Sequence, residues 1–208
     1  MIRTERHSRR CKETRPADLV SAARVLFAEK GFAATRLEDV AAKAGVSKGT
    51  VYLYFDSKET LFRAVVESGL TALGKTVEVL NKLAAETGRP PTELLSSYFG
   101  AWRLVLDDAD VGDLLKLLIA ESGNFPDVVS RFNDAIMRDA KRTMVHIVEA
   151  GIASRDFRPV PASTIADLFF SAVGLWAIDH WSERPAPQRF LDGIFDILTR
   201  GLVSVRST

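Results

Sequence analysis

Apolar residues recur every three or four positions along almost the whole chain, and strict alternation is nearly absent. Leu19, Ala22, Ala23, Leu26 and Phe27 fall on one helical face. Pro16 suits a first helical position and Gly31 a stop, so this spacing predicts a helix over about 16–31. Thr35-Arg-Leu-Glu38 has the form of a capping box and opens a second helix, with Leu37, Val40 and Ala41 on one side. Gly45-Val46 breaks it, and a third helix starts at Ser47. Asp56-Ser57 caps a longer helix, from 57 to about 83, that runs through Leu61, Phe62, Val65, Val66, Leu73, Val77 and Leu80. Beyond the break at Gly88-Arg-Pro-Pro91, helices are predicted near 92–106, 111–121, 125–150, 163–181 and 186–205, with short turn-like separators. Asn-Gly is missing, and Asp-Gly occurs only inside the last helical pattern, at Asp192-Gly193, where it marks no hairpin. The pattern predicts an all-α fold of about nine helices.

Charge changes the picture more than composition does. The net charge of the 208 residues is only +1, but it is unevenly spread. Through Arg63 there are 13 Lys/Arg against 8 Asp/Glu, and beyond it 15 against 19. A basic head on an acidic body points to nucleic acid. The one cysteine, Cys11, makes an internal disulfide impossible, and with no apolar leader a reducing cytoplasmic location is expected. The longest apolar run, Leu168 to Ile178, is too short to span a membrane, so no membrane partner is expected.

Two short motifs match by letter and fail by context. Gly69-Leu-Thr-Ala-Leu-Gly74-Lys75-Thr76 satisfies the phosphate-loop pattern, which would make the chain a nucleotide-hydrolysing enzyme. Such a loop must follow a buried strand, whereas one helical apolar stripe runs straight through this segment. Gly45-Val-Ser47-Lys-Gly49 fits the nucleophile elbow of hydrolases, with His146 and His180 downstream. It too lacks the strand that the elbow requires. No catalytic residue, cofactor or metal site is expected.

The segment from Thr35 to Lys58 carries the better chemistry. Its third helix offers Ser47, Lys48, Thr50, Tyr52 and Tyr54 and contains no acidic residue. Hydroxyls, a cation and phenols suit phosphates and base edges. Thr35 reads as an N-cap and a phosphate contact together. Gly49 is costly inside a helix, which is explained either by close backbone approach to DNA or by tight packing on the first helix. Tyr52 and Tyr54 lie about 200° apart on a helix, so one of them packs inward. Val51, Leu53, Val40 and Leu37 are expected in the core. The tail, residues 1–15, is either solvated and disordered or an arm on DNA.

Over Pro16 to about Leu61 the chain resembles the DNA-binding domain of the tetracycline-repressor (TetR) family of bacterial regulators. Ala23, Leu26, Phe27, Gly31, Phe32, Thr35, Val40, Ala41, Ala44, Gly45, Val46, Ser47, Gly49, Tyr52, Tyr54, Phe55, Lys58, Leu61 and Phe62 carry the resemblance. It implies a helix-turn-helix head at 16–62 whose third helix reads the operator. It also implies a ligand-binding and dimerisation body at 63–208, with Lys58 anchoring a phosphate. The implied function is a ligand-responsive repressor, a homodimer on palindromic double-stranded DNA released by a small apolar effector. A DNA-binding module without an effector is the alternative.

In the body, Phe99, Trp102, Phe125, Phe132, Met137, Met144 and His146 are candidates to line a pocket, with Trp176 beside them and Glu121 as a polar group. The helix near 163–181 is apolar nearly all round, which predicts burial on more than one side. Phe169, Phe170, Val173 and Ile178, with Phe195, Leu198 and Leu202 of the last helix, are the expected dimer surface.

Overall fold

The computed structural model describes residues 3–85, 88–180 and 188–203, without the side chains of 3–15, 176–180 and 188–189. They divide into two compact units, Met1–Gly69 and Leu70–Thr208. Among the described residues the regular structure is helical, with one isolated bridge between Phe157 and Val203. No described helix is long and apolar enough to cross a membrane.

The N-terminal unit begins with α1 (Arg3–Ala34), followed by α2 (Leu37–Lys43) and α3 (Lys48–Tyr54). The helix expected from Pro16 starts thirteen residues earlier, at Arg3, with Pro16 inside it. Residues 3–15 hold no glycine and several Arg, Lys and Glu, all good helix formers, and one proline removes a single hydrogen bond. Gly31, at φ 78°, interrupts the helical geometry near the end of α1, where the spacing placed the stop.

The capping box is corrected by the structure. Arg36, not Thr35, stands at the N-cap of α2, and it makes no side-chain cap. The Thr35 hydroxyl turns backwards, donating to Gly31 O at 2.8 Å and Leu26 O at 3.2 Å. Gly31 O lies where the helical ladder is broken, and satisfying it inside the protein wins over capping a solvent-facing turn. Between α2 and α3 the turn is a Schellman motif: Val46 N–H reaches Ala41 O and Gly45 N–H reaches Ala42 O. It needs a left-handed residue, supplied by Gly45 at φ 66°.

Ser47 caps α3 by accepting from Thr50 N–H at 3.2 Å, and Ser57 caps α4 (Lys58–Ala84) by accepting from Thr60 N–H at 3.1 Å. The boundary between the two units falls within α4. Gly69–Thr76 also lies inside α4, with no strand before it, so its phosphate-loop letters form no loop.

The C-terminal unit adds α5 (Pro91–Asp107), α6 (Ala109–Ala120), α7 (Pro126–Phe132), α8 (Arg138–Ala153), α9 (Ala162–His180) and α10 (Gln188–Leu202). A π-helical stretch, Asn133–Met137, joins α7 to α8 without a break, as the predicted single helix over 125–150 requires. α8 packs on α5 and α9, α10 covers α5 and α9, and α6 lies against the same pair. Phe99 holds this core together, stacking on Phe169 and Phe195 with ring centroids 4.9 Å away in each case. At one end Phe157 is fully buried, and Arg158 N–H donates to Leu202 O at 2.8 Å, fastening the segment after α8 to the end of α10.

Gly151 exists for Phe157: a Cβ on it would overlap the phenyl ring. Gly151→Ala is therefore expected to destabilise the protein by about 2–4 kcal/mol in urea unfolding. Gly100 in α5 is exposed and a Cβ there meets nothing within 4 Å, so Gly100→Ala should stabilise by about 0.5–1 kcal/mol. Equal effects of the two substitutions would contradict this packing.

Candidate nucleic-acid interface and apolar cavity

α3 is a seven-residue helix with one fully buried side chain, Val51. Ser47, Lys48, Gly49, Tyr52 and Leu53 are exposed, Thr50 and Tyr54 half-buried. Leu53, expected in the core, is 73% exposed. The single anchor at Val51 together with Phe55 already fixes so short a helix, which leaves Leu53 on the outer side. Gly49 has open space around it apart from Ser47 Oγ, 3.8 Å from where a Cβ would stand. Tight packing on the first helix is thus not why glycine occupies this position.

Lys48 occupies the first turn of α3, where the helix dipole disfavours a cation. The neighbouring α2 compensates, because Glu38 forms an ion pair with the Lys48 ammonium. Hydrogen bonding to Lys48 lowers the Glu38 carboxyl below its ordinary pKa, and hydrogen bonding to Glu38 raises that of Lys48. The ammonium also lies 5.7 Å from the Tyr52 ring centroid. Ser47 Oγ and Thr50 Oγ1 are 2.9 Å apart, so a cation, two hydroxyls and a phenol share one solvent-facing end. The sequence marks Glu38 only as a capping-box residue; its place ten residues before Lys48 gives no helical spacing that would pair them.

Thr35 and Lys58 stand elsewhere. Thr35 is 1% exposed and its hydroxyl is committed to two carbonyls, so it is a buried structural side chain and not a phosphate contact. Lys58 Nζ donates to Phe32 O at 2.8 Å and Ala33 O at 3.1 Å, and lies 4.4 Å from the Phe32 ring centroid. This ammonium closes the end of α1, whose last carbonyls lack helical partners.

The C-terminal unit contains a cavity of about 400 Å³. Trp102, Phe132 and Met137 line it, as do Leu73 of α4, Leu106 of α5 and Leu118 of α6. Phe99, Glu121, Phe125, Met144 and His146 do not. Phe99 on α5, Phe125 just before α7 and Met144 on α8 are buried in the packing between helices. His146 is exposed on α8, and Glu121, at the end of α6, accepts from Asn124 Nδ2 at 2.8 Å. The side chains of Trp176 and Ile178 lie outside the described residues. Tyr98, buried on α5 away from the cavity, donates to Ala140 O at 2.9 Å, and burial pushes its phenol up to about 12.

Of the expected dimer residues, four turn into the single chain. Phe169, Phe170, Val173 and Leu202 are buried within the single chain, and Phe170 and Val173 line the cavity. Phe195 and Leu198 are half-buried, Phe195 stacked inward on Phe99. α9 is apolar nearly all round, and its inner side is the one those phenylalanines occupy. The outer side carries Leu168 at 53% and Leu175 at 59% exposure, and α10 shows Ile197 at 67%. Among the described residues no group of three or more His, Cys, Asp or Glu could hold a metal ion.

Two short helices joined by a Schellman turn, with polar groups on the outer side of the second, make this a helix-turn-helix protein. The model of the bacterial regulatory proteins of the tetR family matches residues 19–65. The HTH-type transcriptional regulator YfiR of Bacillus subtilis (strain 168) is 32% identical over 170 residues, 77% of each chain. The chain belongs to the tetR family and is an HTH-type transcriptional regulator. The HTH-type transcriptional repressor DhaR of Mycobacterium sp. (strain GP1) is 27% identical over 145 residues, 68% of this chain and 71% of that one. Among solved structures, the regulator FadR from Bacillus subtilis in complex with stearoyl-CoA has the same fold. Its TM-score is 0.68 at 18% identity, covering 89% of this chain and 98% of that one.

If Thr35 and Lys58 complete α1, their loss should be felt in stability. Thr35→Val is expected to cost about 1–2 kcal/mol in urea unfolding, because the part-buried Gly31 carbonyl loses its donor. Lys58→Met should cost about 1 kcal/mol. Variants as stable as the native protein but weakened on DNA would show that the hydroxyl and ammonium serve phosphates instead.

Proposed function

We propose that the protein is a homodimeric repressor that binds a palindromic operator through α3 and releases it when a small, largely apolar effector occupies the cavity of the C-terminal unit. The observation that carries this is the outer face of α3. Ser47, Lys48, Thr50 and Tyr52 stand there with no carboxylate in the helix itself. Two such helices from a dimer fit successive major grooves, about 34–36 Å apart. Lys48 and Tyr52 contact phosphates or base edges; Thr50, and Leu53 beside it, offer methyl groups to thymine. The protein works in the cytoplasm, without catalysis.

The dimer forms through the outer faces of α9 and α10. Leu168, Leu175 and Ile197 expose apolar surface that a second copy would cover, and an apolar patch of this kind on a regulator marks an association site. The cavity supports an effector because its wall is mostly apolar and reaches Leu73 of α4, the helix that also carries Lys58. An effector shifts the protein away from DNA only by binding the non-docking state more tightly. The repressor DhaR and the stearoyl-CoA complex of FadR are in keeping with this reading.

Duplexes selected by the protein from a random pool and measured by fluorescence anisotropy provide the test. Lys48→Met is expected to weaken binding about tenfold with the dimer intact by light scattering. Glu38→Gln should do the opposite, since it frees Lys48: tighter binding, and a salt dependence steeper by about one counterion per protomer. Unchanged affinity in both variants would remove α3 as the reading element.

A further inference from the structure

The wall's one charged side chain and its hydroxyl and carboxamide groups are solvent-accessible, while the Trp102 indole N–H is buried in the wall without a hydrogen-bond partner. Ser122, Asn133 and Ser171 are exposed, and Lys141 is half-exposed, whereas Trp102 and Phe170 of the wall are buried. Lys141, on α8, donates to Asp167 Oδ1 on α9 at 2.7 Å. Asp167 is outside the cavity wall, and among the described residues the wall carries a cation and no carboxylate. The pair is well exposed, and such pairs contribute little and are readily exchanged. From this we infer that the cavity selects an amphiphile with a single anionic group. Its apolar body lies against Trp102 and Phe170, and its anionic group takes the place of Asp167 on Lys141.

This rests on the reading of the cavity as an effector site and adds the chemistry of the effector. A neutral ligand leaves the Lys141–Asp167 pair intact and gains nothing from the ammonium. A cationic ligand brings like charges together at Lys141. An anion makes a charge-assisted hydrogen bond there, stronger than a neutral one. The exchange also dissolves the ion pair linking α8 to α9, so an acid and its neutral analogue differ in what they do to these helices and not only in affinity.

Calorimetry on the full chain at neutral pH, with decanoate against decanol and naphthylacetate against naphthylethanol, tests the inference. In at least one pair the acid should bind roughly tenfold more tightly than the alcohol. Lys141→Met should reduce the acid to the level of the alcohol, and Lys141→Arg should keep the preference. Asp167→Asn, by releasing Lys141, should tighten the acid roughly threefold and leave the alcohol alone. Equal affinity of acid and alcohol in the native protein, or a preference that survives Lys141→Met, overturns the inference. If Asp167→Asn weakens acid and alcohol alike, the pair is a structural tie and the inference fails too. If neither member of either pair binds, the reading of the cavity as an effector site falls instead.

Discussion

Seven residues make two turns of helix, and a helix that short does not persist in water without tertiary support. The N-terminal unit is organised around this constraint. α3 holds to the unit by Val51 and, just past its end, Phe55, both buried. α2 presents Leu37, Val40 and Ala41 inward for it to rest on. Behind them Phe27, Phe32 and Phe62 form a cluster with ring centroids 5.1–5.7 Å apart, joining the end of α1 to the start of α4. Because so little of α3 is needed to fasten it, most of its surface is free to be chosen by what it touches.

Two polar side chains make that arrangement possible. Thr35 and Lys58 supply hydrogen-bond donors to carbonyls in the last turns of α1, around the irregular residue Gly31. With those carbonyls satisfied, the chain can turn sharply into α2 while the aromatic cluster stays dry. Lys48 shows the complementary case, since a cation in the first turn of a helix works against the dipole. Glu38 offsets that cost, and the helix keeps a positive charge on its outer side that folding alone would not place there.

The helices were legible in the sequence because their apolar spacing is regular and their breaks are marked by Gly45, Gly88 and the prolines. The helix-turn-helix was legible for the same reason, its turn requiring a residue at positive φ. What spacing leaves undecided is which of two apolar faces is already covered. α9 is apolar on both, and Phe169 and Phe170 turn inward while Leu168 and Leu175 remain outside. Thr35 misled for a different reason: a hydroxyl before a helix has two sets of partners, and only the three-dimensional path of α1 decides between them. Lys141 and Asp167 lie 26 residues apart on different helices, and no local pattern joins them.

Val128, Phe132, Ile136, Ala140 and Met144 recur at every fourth residue through α7 and α8. On an unbroken α-helix each step of four overshoots a full turn by about 40°, and five such positions would wind nearly half-way round the rod. The π-helical stretch Asn133–Met137 falls in the middle of this run, and its wider turn absorbs part of the overshoot, as one inserted residue would. α7 and α8 are therefore phased against each other by a single turn of backbone. Shortening that turn by one residue would rotate α8 by about 100° relative to α7. The hydrogen-bond register of five residues thus decides whether Ala140, Lys141 or Arg142 meets whatever the cavity holds.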